Sequence, residues 1–170
     1  QYYRDARITA IYEGTTGIQA LDLIGRKLAS EKGVTAAAVL AEVKATVAKL
    51  AAAGSDFASL KANLEAGIAQ AEACVNFVLE TFGTQPRLPA AGSVPFLKLM
   101  GILLGGWQLA RGALIAQAKL GEDGADTDFY TAKIVTARFY GEHLLPQISG
   151  LAVAILGGAA SVLALDEAQF

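Results

Sequence analysis

The chain has 170 residues, enough for one domain or for one domain with a leading fragment, since a single core usually holds roughly 100–200 residues. Apolar residues make up 54% and charged residues 18%, which supports a sizeable core and excludes a disordered chain. The 14 basic and 16 acidic residues leave a net charge of −2 and no polybasic run, which argues against a nucleic-acid partner, and the single Cys74 argues against an intramolecular disulfide.

Gln1 stands where a Met would be expected, and no basic start with an apolar run precedes Tyr2, so the chain is expected to be an excised piece without a signal peptide. The lone cysteine suits a reducing, cytoplasmic compartment. Helical periodicity recurs in every long segment, with no sustained period-2 alternation, so the predicted class is all-α. Tyr2 to Ile8 reads as the last turns of a helix, leading through Thr9 into the turn Glu13-Gly14-Thr15-Thr16-Gly17. Ile18, Leu21, Ile24 and Leu28 then predict a second helix with one apolar face and with Arg26 and Lys27 near its C-terminal end, where cations are favourable. The polar stretch from Ser30 to Val34 contains Gly33 and is the expected boundary between a leading unit, residues 1–30, and a body, residues 31–170.

In that body, Val39 or Leu40, then Val43, Val47 and Leu50 stripe an alanine-rich helix that should stop at Gly54. Ser55 or Asp56 can cap the next helix, where Phe57, Leu60, Leu64, Ile68, Ala71, Val75, Val78 and Phe82 alternate steps of three and four. The following "TQPRLPAAGSVP" is expected as a loop, with Ser93 capping a long helix that runs to Gly121 and is apolar nearly all round, as a central helix would be. Asp126 or Thr127 should cap the last long helix, which Pro146 kinks or divides. These stripes predict an up-and-down four-helix bundle preceded by a short helical remnant. The uncharged run Leu144 to Leu165 is long enough to span a membrane, but Pro146, Gly150 and Gly157-Gly158 favour a buried helix with a tail.

The residues with chemical potential gather in the first turn. In one reading Thr15 or Thr16 caps a helix and Glu13 is a solvated carboxylate; in the other, apolar neighbours raise the pKa of Glu13 towards that of a general base, while adjacent N–H and hydroxyl groups bind phosphate or ribose oxygen. Periodicity does not choose between them. His143 has no companion and reads as a surface or core histidine, Cys74 as a small buried hydrophobe, Met100 and Trp107 as core, and Arg4, Asp5 and Arg7 as local structural charges. No cluster has metal-ligand spacing.

The run "YRDARITAIYEGTTGIQALDLIGRKL" resembles the C-terminal segment of the acyl-CoA dehydrogenases, whose pattern is an Arg-Asp-Ala helix, then Ile-Tyr-Glu-Gly-Thr and a following Ile-Gln. The alanine-rich body, closing on "ALDEAQF", is similar to the extra C-terminal helical domain of the large bacterial subgroup that includes 3-methylmercaptopropionyl-CoA dehydrogenases. The resemblance implies that Glu13 takes the α-proton of an acyl-CoA thioester while a hydride passes from the β-carbon to FAD, giving a trans-2-enoyl-CoA. It implies an oxyanion contact from the backbone N–H of Glu13, substrate against Gly14, and FAD contacts at Thr15, Thr16 and Gly17. Many members carry Gln where this chain has Gly17, which removes a side-chain contact to the adenine part of FAD or replaces it with backbone. It also implies an electron-transfer flavoprotein as acceptor and a homo-oligomer. These 170 residues alone are expected neither to hold FAD tightly nor to turn over acyl-CoA. The alternative is a non-catalytic helical module for docking, oligomerisation or contact with a membrane surface.

Overall fold

A computed structural model describes residues 1–10 and 15–169, and the regular structure of the described residues is helical, without a strand. The helices are α1 (Tyr2–Arg7), α2 (Thr16–Asp22), α3 (Val34–Ala52), α4 (Ala58–Thr81), α5 (Arg87–Ala91), α6 (Ser93–Leu120), α7 (Thr127–His143), α8 (Gln147–Gly157) and α9 (Ala159–Val162). A π-helical run, Leu23–Ala29, continues α2 without a break.

Helices α3, α4, α6 and the pair α7–α8 form the expected up-and-down bundle. Trp107 Nε1 donates to Thr46 Oγ1 at 2.8 Å and Gln117 Nε2 to the Ala53 carbonyl at 3.0 Å, so α3 and α6 run parallel. Gly141 meets Leu60 and Ile148 meets Gly67, so α7–α8 runs parallel to α4. Tyr140 donates to the Ile102 carbonyl at 3.1 Å while Ile155 lies against Gly92, so the same pair is antiparallel to α6. Pro146 divides this fourth strut: it has no N–H to donate, α7 ends at His143, and Pro146 becomes the N-cap of α8. At the break Leu145 is buried against Gly106, where a Cβ would lie 2.7 Å from Leu145 Cδ2.

The stripe of α4 supplies the centre. Phe57, Leu60, Leu64, Ile68, Ala71, Val75 and Val78 are all buried, as their spacing predicts. Helix α6 is long and apolar enough to cross a membrane by length and composition, but here it packs against α3, α4, α7 and α8 and buries Phe96, Leu99, Leu103 and Ala110. Asp126 caps α7, its carboxylate accepting from Phe129 N–H at 3.0 Å.

Three sequence expectations change. The stretch expected as a proline-rich loop contains α5, because Pro86 sits at its N-cap and Pro89 in its first turn, where a missing N–H breaks no helical bond. Ser93 is the first residue of α6 and is buried, with Gly92 at the N-cap. Ser55 and Asp56 fall in a 3-10 turn, and Phe57 is the N-cap of α4.

Cys74 is fully buried, and burial pushes its thiol up to about 11. Below about pH 9 the thiol is protonated in both the folded and the unfolded chain; above it the unfolded thiol ionises first, so folding stability falls as pH rises towards 11. The loss should total roughly 2–3 kcal/mol. Urea titrations from pH 8 to 11 are expected to show a shallower alkaline decline for Cys74→Ala than for the wild type, and an equal decline would refute the assignment. Burial raises the Tyr140 hydroxyl as well, with the same sign, so the comparison between the two proteins is what isolates the thiol.

Candidate catalytic turn

Of the five residues the sequence marks out, Glu13 and Gly14 lie outside the described residues. Thr15, Thr16 and Gly17 are described, adjacent and exposed. Thr15 is the N-cap of α2, its carbonyl accepting from Gln19 N–H at 3.1 Å. Its φ of 50° and ψ of 104° put a β-branched residue on the positive side of φ, a conformation that costs about 1–3 kcal/mol and persists only where the surroundings hold it. A Cβ built on Gly17 would meet nothing within 4 Å, so among the described residues the first turn of α2 is open at this position.

The two flanks of the turn are held differently. Helix α1 buries none of its residues and is tied locally: Arg4 donates to Gln1 Oε1 at 2.6 Å and Gln1 Nε2 to Asp5 Oδ1 at 2.7 Å, so Gln1 bridges the two charges. The exit is docked onto the bundle. Ala20, Ile24 and Leu28, four residues apart, are buried, and Ile24 and Leu28 belong to the same core as α3, α4 and α6, across the expected boundary at residue 30. The single apolar face expected for this helix is therefore split, because Ile18 and Leu21 are exposed.

The π-helical run accounts for part of that split. Ser30 N–H donates to the Gly25 carbonyl at 3.0 Å and Gly33 N–H to the Leu28 carbonyl at 2.9 Å, both i→i+5 bonds, and the wider turn stacks residues four apart. Gly25 passes close to α4, where a Cβ would sit 3.3 Å from Phe82 Cζ. Gly33, at φ +76°, ends the segment in a left-handed conformation that glycine adopts without cost. Sequence periodicity carries no signature of this run.

The other residues weighed for chemistry take structural places. Cys74 is buried, Met100 and Trp107 are partly buried against the core, and His143 is exposed with its ring 4.5 Å from that of Phe139.

A family described as "Acetyl-CoA dehydrogenase C-terminal like" matches residues 39–166. The 3-methylmercaptopropionyl-CoA dehydrogenase of Ruegeria pomeroyi is 43% identical over 149 residues, which covers 88% of this chain and 25% of that protein. A broad-specificity linear acyl-CoA dehydrogenase of Mycobacterium tuberculosis is 34% identical over 185 residues, covering 100% of this chain and 29% of that protein. A butyryl-CoA dehydrogenase of Syntrophomonas wolfei is 31% identical over 98% of this chain and 28% of its own length. The chain thus spans between 25% and 29% of the length of these curated relatives.

Proposed function

The chain belongs to the acetyl-CoA dehydrogenase C-terminal-like family, and from that premise we propose that it serves as the C-terminal part of an FAD-dependent acyl-CoA dehydrogenase with Glu13 as its base. One observation carries the reading: the bundle matched by the family and the run Tyr12-Glu13-Gly14-Thr15 occur in one chain, the second just upstream of the first. On this reading residues 1–30 close the dehydrogenase's own helical domain and residues 31–170 are an added bundle that covers the catalytic core or builds the oligomer.

The chemistry asked of the turn is specific. The α-proton of a thioester is weakly acidic, so its removal needs a carboxylate of raised pKa held against the α-carbon and donors on the thioester oxygen. Glu13 supplies the carboxylate and, through its backbone N–H, one of the donors. Gly14 keeps a side chain out of the path of the acyl-CoA. The exposed hydroxyls of Thr15 and Thr16 and the open space at Gly17 suit contacts to a polar cofactor. FAD, when bound, would supply the hydride acceptor. An electron-transfer flavoprotein as acceptor, assembly as a homo-oligomer and a cytoplasmic location belong to the same proposal.

The test is spectroscopic. The complete protein should purify with a flavin absorption band that bleaches anaerobically on addition of acyl-CoA, with trans-2-enoyl-CoA as product, whereas these 170 residues alone should be colourless and inert. A complete protein that binds no flavin and leaves acyl-CoA unchanged would overturn the proposal.

A further inference from the structure

The helix that leaves the turn is fastened to the bundle at its far end, and that fastening bears on Glu13. Thr15 is tied to α2 through its carbonyl, which accepts from Gln19 N–H at 3.1 Å. At the other end of α2 the Leu23 N–H donates to the Gln19 and Ala20 carbonyls, so the hydrogen-bonded ladder passes into the π-helical run without a gap. Residues 15–29 therefore behave as one stiff rod. One side of it rests on the bundle: Ala20 and Ile24 are fully buried, Leu28 is nearly so, and Leu23 packs against the same core. Helix α2 packs on α6, and the π-helical run packs on α3, α4 and α6.

Two close approaches fix the angle of the rod on α4. A Cβ on Gly25 would lie 3.3 Å from Phe82 Cζ, and one on Gly33, just past the run, 2.9 Å from Leu79 Cδ1. Helix α1, on the other side of the turn, buries none of its residues. Thr15 stands nine positions before Ile24. That is about 13 Å along a helix, so a tilt of about 5° at Ile24 would move Thr15 by about 1 Å. Displacing a catalytic group by about 1 Å can cost about 10²-fold in rate. Glu13 precedes Thr15 by two positions.

Resting on the assignment of Glu13 as the base, we propose that Ile24 and Leu28 are positioning residues for it: through the rod, the bundle holds the turn in place against the reacting carbon. Kinetics of variants of the complete protein test this. Ile24→Ala should lower kcat for acyl-CoA about tenfold or more, with KM changed by less than about twofold. Ile24→Val, which keeps most of the packing, should restore roughly half or more of the turnover. Leu60→Ala is the control, because Leu60 is as fully buried as Ile24 but lies at the opposite end of α4. Leu60 and Phe82 are about 33 Å apart along that helix. Leu60→Ala should lower the thermal midpoint as much as Ile24→Ala and leave kcat within about twofold of the wild type. Gly25→Val leaves Ile24 and Leu28 in place and wedges the run away from Phe82. It should reproduce the loss in kcat, and it carries the test if Ile24→Ala does not fold. Equal kcat in Leu60→Ala and in the two variants of the run would overturn the proposal, while a collapse in Glu13→Gln would still leave the base standing. Unchanged turnover in Glu13→Gln would instead remove the base, and this inference with it.

Discussion

Replacing Gly141 by valine is expected to destabilise the bundle by about 3 kcal/mol, near the upper end of ordinary overpacking. Gly141 is buried on α7, and a Cβ there would lie 2.8 Å from Leu60 Cδ1 and 3.1 Å from Leu60 Cα. The second of these atoms is backbone, so α4 and α7 would have to move apart. That movement would also stretch the bond from Asn63 Nδ2 to the Gly141 carbonyl, now 3.0 Å. Improved helix propensity returns less than about 1 kcal/mol. Gly112→Ala on α6 is the matched control: its Cβ meets nothing within 4 Å, so the propensity term acts alone and should stabilise by about 0.5–1 kcal/mol. In thermal unfolding Gly141→Val should lower the midpoint by roughly 6–12 °C and Gly112→Ala should raise it by a few degrees. A Gly141→Val midpoint within measurement error of the wild type would refute the close approach of the two helices.

Glu13→Gln in the complete protein is expected to lower turnover by about 10²–10⁴-fold, the usual contribution of a positioned general base. The amide has the shape of the carboxyl group and keeps the backbone N–H that would contact the thioester oxygen, but it cannot accept a proton. Binding of acyl-CoA should therefore change little while kcat collapses, a split that separates loss of the base from loss of the fold. Exchange of the α-proton into heavy water should vanish in the same variant. Unchanged turnover would remove Glu13 from the mechanism and leave the turn with its plainer reading, a helix cap beside a solvated carboxylate.

What is readable in the residues alone is what local energetics decide. The steps of three and four from Phe57 to Val78 specify a helix and its buried face, because each apolar residue must share one side of a cylinder with the next. Asp126 marks the start of α7 because a carboxylate beside free N–H groups is favourable wherever the helix sits, and Pro146 marks its division because a missing N–H cannot be restored by context. The role proposed for Glu13 is of another kind: the residues around it leave a capped turn and a general base both open, and only the resemblance of the whole run favours the base.

Tertiary contacts decided the rest. Ile18 and Leu21 look equivalent to Ile24 and Leu28 in the string of residues, yet only the latter pair is buried. Gly112 and Gly141 both sit within helices, yet one faces open space and the other the backbone of α4. Periodicity and capping depend on neighbours a few positions along the chain, whereas crowding and burial of one face over another depend on distances between helices remote in sequence, which are set only when all of them pack together.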